Sequence, residues 1–131
     1  MLLYLLRVLK IFLMFMFIDG AWLMGMGQRF YRHHLGYLFA DSFQYSWAIL
    51  FYLLYAAAVT YFIFMPSKLQ SFSMTTIFLQ GFFFGLVVYS AYDLTNQATI
   101  KNWPLIVTIV DMLWGATLTG IVVSLASKFI K

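Results

Sequence analysis

The chain has 131 residues, of which 64% are hydrophobic and 9% charged, with a formal net charge of +4 and a mean hydropathy of +0.90. Soluble domains carry about 25% charged residues, so the composition excludes a water-soluble globular fold and leaves one compact membrane bundle with no room for a second domain. With no cysteine, disulfides and thiolate metal sites are excluded; no cofactor or metal is expected, and the scattered positive charge suits membrane lipid headgroups rather than nucleic acid.

A bilayer core takes about 20 apolar residues per helix. Four runs have that length, at about 8–27, 46–65, 74–93 and 104–127. The expected fold is all-α: a single transmembrane domain over 1–131, built as a four-helix bundle with an interfacial or re-entrant segment between helices one and two. Arg7 and Lys10 before the first run imitate a signal peptide, but Asp19 interrupts its core and no small-residue cleavage site follows, so the run is kept as a helix. Four spans put both termini on one side. That side has Arg7, Lys10, Lys68, Lys128 and Lys131 against Arg29, Arg32 and Lys101 on the other, which places the termini in the cytoplasm.

In the first helix Asp19 and Trp22 share a face, with Asp19 about 12 Å below the helix end near Gly27. Residues 28–44 mix aromatic side chains with Arg29, Arg32, His33 and His34, the composition of a segment lying at the headgroups. Adjacent His33 and His34 point about 100° apart on a helix, a poor metal pair. In the second helix Tyr45, Tyr52 and Tyr55 align on one face; Tyr52 and Tyr55 lie too deep for an interfacial belt, and each hydroxyl needs a partner. Residues 66–73 read as a polar turn. In the third helix Gly81, Gly85, Tyr89 and Asp93 repeat every fourth residue, so a groove of small residues leads to a phenol and then a carboxylate. Asp93 is expected at the mouth of a short polar turn that also holds Tyr92, Thr95, Asn96, Gln97 and Thr99. Trp103 and Pro104 open the fourth helix, where Thr108, Asp111, Trp114 and Gly115 share one face. Ala116, Gly120 and Ser124 form a neighbouring small stripe.

The run YDLTNQATIKNWP followed by VDMLWG, with FYRHHLG and ILFYLLYAA upstream, resembles the bacterial membrane-protein family catalogued as domain of unknown function 2177. The resemblance spans nearly the whole chain and implies a small polytopic protein of the bacterial inner membrane with no established activity. One departure is that Met24 separates Leu23 from Gly25, where the family pattern has the glycine directly; this bears on how closely the first helix packs there.

Antiparallel spans bring Asp19 and Asp111 to matching depth in one half of the membrane, with Arg29, Arg32, His33 and His34 above them. A charged Asp near a helix centre costs about 2.5–3.5 kcal/mol on insertion scales, so two exposed to lipid would cost about 5–7. They must face inward, protonated, paired with Arg, bonded to Tyr and Trp, or lining a wet cleft. The expected function is binding or translocation of a small amphipathic or lipid-like ligand in a polar half-cavity. Asp19, Trp22, Tyr52, Tyr55, Tyr89, Asp93, Asn96, Asp111 and Trp114 are its candidate residues, and a homodimer is expected where transport requires a wider bundle. Gly81, Gly85, Gly115 and Gly120 are assigned to helix packing. Three alternatives stay open: an intramembrane lipid-modifying enzyme using Asp19 and Asp111 as acid and base, a non-catalytic subunit of a membrane complex, and a purely structural role for the carboxylates.

Overall fold

Long apolar runs leave a backbone in lipid few ways to satisfy its N–H and C=O groups, and helices satisfy them internally. The computed structural model describes all of residues 1–131, with no strand. In order, α1 spans Leu2–Met26, α2 spans Arg32–Leu35, α3 spans Tyr45–Leu69, α4 spans Met74–Thr99 and α5 spans Leu105–Phe129. Three of them, α3, α4 and α5, are long and apolar enough to cross a membrane. The long α1 packs against α3 and α5.

Two helices overrun their expected ends. α3 continues through Pro66 to Leu69, shortening the expected turn at 66–73. Proline lacks the N–H that a regular helix would use and crowds the carbonyl four residues back. Here the turn Thr60–Phe64, just before it, widens to π-type geometry, so the helix absorbs the proline without stopping. The connection then turns at Ser71, in the left-handed region at φ 52°, and Ser73 caps α4 by accepting from the Thr76 N–H at 3.1 Å.

α4 continues to Thr99, so the stretch YDLTN is helix and not a turn. Within α4, Thr95 and Thr99 donate to the carbonyls of Ala91 and Thr95 at 2.5 and 2.7 Å, so their hydroxyls are satisfied on the helix itself. The reversal falls at 100–104 instead, with Asn102 left-handed at φ 62°. There Trp103 Nε1 donates to Thr108 (3.0 Å), Thr108 to Gln97 Oε1 (2.9 Å), and Gln97 Nε2 to the Trp103 carbonyl (3.2 Å).

α4 and α5 are the most closely packed pair, and glycine is what lets them approach. A Cβ on Gly81 would stand 3.0 Å from Gly120 Cα, one on Gly85 would stand 2.5 Å from Thr119 Oγ1, and one on Gly115 would enter the Tyr89 ring. The groove expected along Gly81 and Gly85 is therefore filled by α5. Below this seam Ile11, Phe15, Val59, Phe64, Ile77 and Leu118 form a core to which all four long helices contribute. At that end Arg7 donates to the Lys131 carbonyl (3.3 Å) and Lys68 to that of Ser127 (2.5 Å), cations placed at the C-terminus of α5. At the opposite end the segment after α1 folds over the α4–α5 turn: Leu35 packs with Trp103 and Val107, and Tyr37 donates to the Asn102 carbonyl at 3.0 Å.

Candidate functional site

Three aspartates lie at one level. Asp19 is seven residues from the end of α1, Asp93 six from the end of α4, and Asp111 six from the start of α5, so each sits about 9–11 Å inside the same end of the bundle at 1.5 Å per residue. Asp93 is thus not at a mouth. It is 0% exposed, and Asp19 only 4%.

Asp19 is held from two sides. Tyr52 of α3 donates to its Oδ2, and Trp114 Nε1 of α5 donates to its Oδ1 at 2.7 Å. The Trp114 ring stacks on Trp22 with centroids 4.1 Å apart and planes 8° from parallel. Trp22 Nε1 in turn donates to the Tyr31 hydroxyl at 3.3 Å, and Tyr31 donates to Asp111 Oδ1 at 2.6 Å. Asp19 and Asp111 are therefore joined through a tryptophan pair and a phenol. Burial, then the Asp111 carboxylate, pushes the Tyr31 phenol up, so it stays protonated and remains a donor.

Asp93 differs from both. It comes level with Asp111 one turn beyond the contact of Tyr89 with Gly115, yet neither of its oxygens receives a bond from any N–H or O–H of the protein, and both are enclosed. Tyr89, one turn away, lays its ring on Gly115 and is within electrostatic reach of Asp19, Tyr52 and Asp111.

Of the sequence-derived candidates, Asp19, Trp22, Tyr52, Asp111 and Trp114 come together in this network, and Tyr89 and Asp93 lie beside it without a bond to it. Two others stand apart from it. Tyr55 is buried deeper, its hydroxyl 2.7 Å from Thr119 Oγ1. Asn96 lies a turn beyond Asp93, half-buried, beside the reversal. The cations expected above the carboxylates do not reach them either: Arg29, Arg32 and His33 are exposed, Arg32 meets Gln28, and His34 Nδ1 lies 2.9 Å from the Phe30 carbonyl. What sequence reasoning missed is Tyr31. Among so many aromatic side chains at the headgroups nothing marks it, and only the continuation of α1 through a π-type turn at Gly27–Tyr31 brings it under Trp22.

Two grooves open on the outer surface. One of about 290 Å³ runs between α1 and α5, lined by Trp22, Val110, Leu113, Trp114 and Thr117. The other, of about 370 Å³, lies between α3 and α4, away from the carboxylates, lined by Phe62, Ile63, Gln80, Phe83, Phe84 and Val87. The first has the stacked tryptophans as its inner wall, with Asp19 directly behind.

Residues 4–128 match the model of the family described as Predicted membrane protein (DUF2177). No curated protein and no solved structure matches the chain.

Proposed function

The chain belongs to the DUF2177 family of membrane proteins of unknown function, and we propose that it binds or translocates a small amphipathic, lipid-like ligand at the level of Asp19 and Asp111. In this reading α1 crosses the bilayer as a fourth span, and the ends carrying Arg7, Lys68 and Lys128 face the cytoplasm of a bacterial inner membrane. The observation that carries the proposal is the groove lined by Trp22 and Trp114, apolar outside and backed by a carboxylate network without a cationic partner. The groove is shallow and open along the outer surface rather than an enclosed pocket. That suits one acyl or isoprenoid-type chain, whose hydroxyl or ammonium head would supply donors to the carboxylates. Translocation through so narrow a bundle would call on a second copy of the chain.

Mass spectrometry of lipids retained by protein purified in mild detergent tests the reading. One amphiphile should be enriched over bulk lipid, and lost from Trp114→Ala and Asp19→Asn variants that still fold. A purely structural reading is favoured by the complete bonding of Asp19. Under it, Asp19→Asn lowers thermal stability and leaves the retained lipids unchanged.

A further inference from the structure

We propose that Asp93 and Asp111 form a proton-binding pair, in which Asp93 is the acid and Asp111 the carboxylate that accepts its O–H. Asp93 is fully buried, with both oxygens enclosed and neither receiving a bond, and the packing of α4 on α5 brings Asp111 opposite it: Tyr89 lies on Gly115, and one turn further along the antiparallel pair Asp93 comes level with Asp111. Two ionised carboxylates in contact repel each other and lose their hydration, a combination that persists only with a cation or a proton between them. The enclosure of Asp93 decides which. With both oxygens closed off by the surrounding helices, no ligand atom or ammonium reaches them, and a proton is the one partner that fits.

The direction of the bond follows from Tyr31. Its O–H already donates to Asp111 Oδ1 at 2.6 Å, so Asp111 is placed as an acceptor, whereas Asp93 has no such donor. A protonated Asp93 supplies one O–H and so meets the needs of both groups at once. The titratable neighbours are Asp19 on α1, Tyr31 in the segment after it, Tyr52 on α3, Tyr89 and Tyr92 on α4, and Asp111 on α5. All are acids or phenols, and none offers a fixed positive charge in the proton's place. Protonation consumes one hydronium ion, forms the Asp93 O–H and leaves the pair with one negative charge. Deprotonation at alkaline pH breaks that bond, passes the proton to hydroxide to give water and leaves two charges in contact, the unfavourable state.

Infrared spectroscopy of the protein in lipid nanodiscs reads this directly. The wild type should show a carboxylic-acid C=O band that shifts in D₂O, disappears on alkaline titration and is absent from Asp93→Asn. No such band, or a band that survives Asp93→Asn, would overturn the pair. If Asp93→Asn does not fold, Asp111→Asn answers in its place: the band must move, because the acid then bonds an amide instead of a carboxylate, and an unmoved band overturns the assignment. None of these readings depends on a ligand in the Trp22–Trp114 groove, so the lipid-binding reading and the proton pair stand or fall separately.

Discussion

The two halves of the bundle are held together by different physics. In the half near Phe64 and Gly81, helices meet through close backbone approach and apolar contact; the hydroxyls of Thr60, Ser67 and Ser124 bond back to their own helix, and Tyr4, Arg7 and Lys68 reach across to backbone carbonyls of neighbouring segments. In the half near Asp19 the contacts run between helices: Tyr52 to Asp19, Trp114 to Asp19 and Tyr31 to Asp111. Lipid is as apolar as the core, so burial gives helices little reason to associate; van der Waals fit does that, and interhelical bonds within membranes average only about 0.6 kcal/mol. A half built from such weak bonds around acids that cost about 2.5–3.5 kcal/mol each to insert when charged is poorly explained by stability. The apolar half supports the structure, and the polar half is where function is to be sought.

That contrast can be broken at several points. The largest stability loss is expected from Gly85→Val, because the new side chain would meet Thr119 and the Gly115 carbonyl, and backbone cannot yield. Overpacking of this kind costs about 1–3 kcal/mol, to be read as a lowered unfolding midpoint in detergent. Next comes Trp114→Ala. It removes a stacked pair worth about 0.5–1.5 kcal/mol beyond its area and the donor to Asp19, and it should also release the retained amphiphile. A Gly85→Val protein that stays folded should keep its lipid; one that loses lipid while fully folded would blur the division between the halves. The finest comparison sets Tyr55→Phe against Tyr31→Phe. Tyr55→Phe loses one bond and Tyr31→Phe two, the second from Trp22 at 3.3 Å, and at about 0.6 kcal/mol per bond both shifts in the midpoint are small. Only Tyr31→Phe should disturb the infrared signature of Asp93, because Tyr31 bonds Asp111 whereas Tyr55 bonds Thr119.

Much of this was legible in the sequence, because an ionisable side chain in lipid is costly enough to turn toward the bundle interior. Asp19 and Asp111 had to turn inward, antiparallel connectivity put them at one depth, and spacings of three and four placed Trp22, Trp114 and Tyr89 beside them. The helix ends were harder to read. Proline at 66 and the polar run after Asp93 look like breaks, but a widened turn absorbs the first, and in the second the threonine hydroxyls find their partners on the helix itself. The misplaced end of α4 concealed the full burial of Asp93. The approach of Tyr31 to Trp22 and Asp111, and the closure of Gln97 and Trp103 on Thr108, depend on how separate segments fold over one another, which no local pattern encodes.

The meeting of α1 and α5 through the Trp22–Trp114 pair that lies between Asp19 and Asp111 is tested most directly by spin labelling. The chain has no native cysteine, so Trp22→Cys and Trp114→Cys can be labelled together in lipid bilayers without background. The stacked rings predict strong dipolar broadening in the double variant. A spectrum equal to the sum of the two single variants would contradict the account.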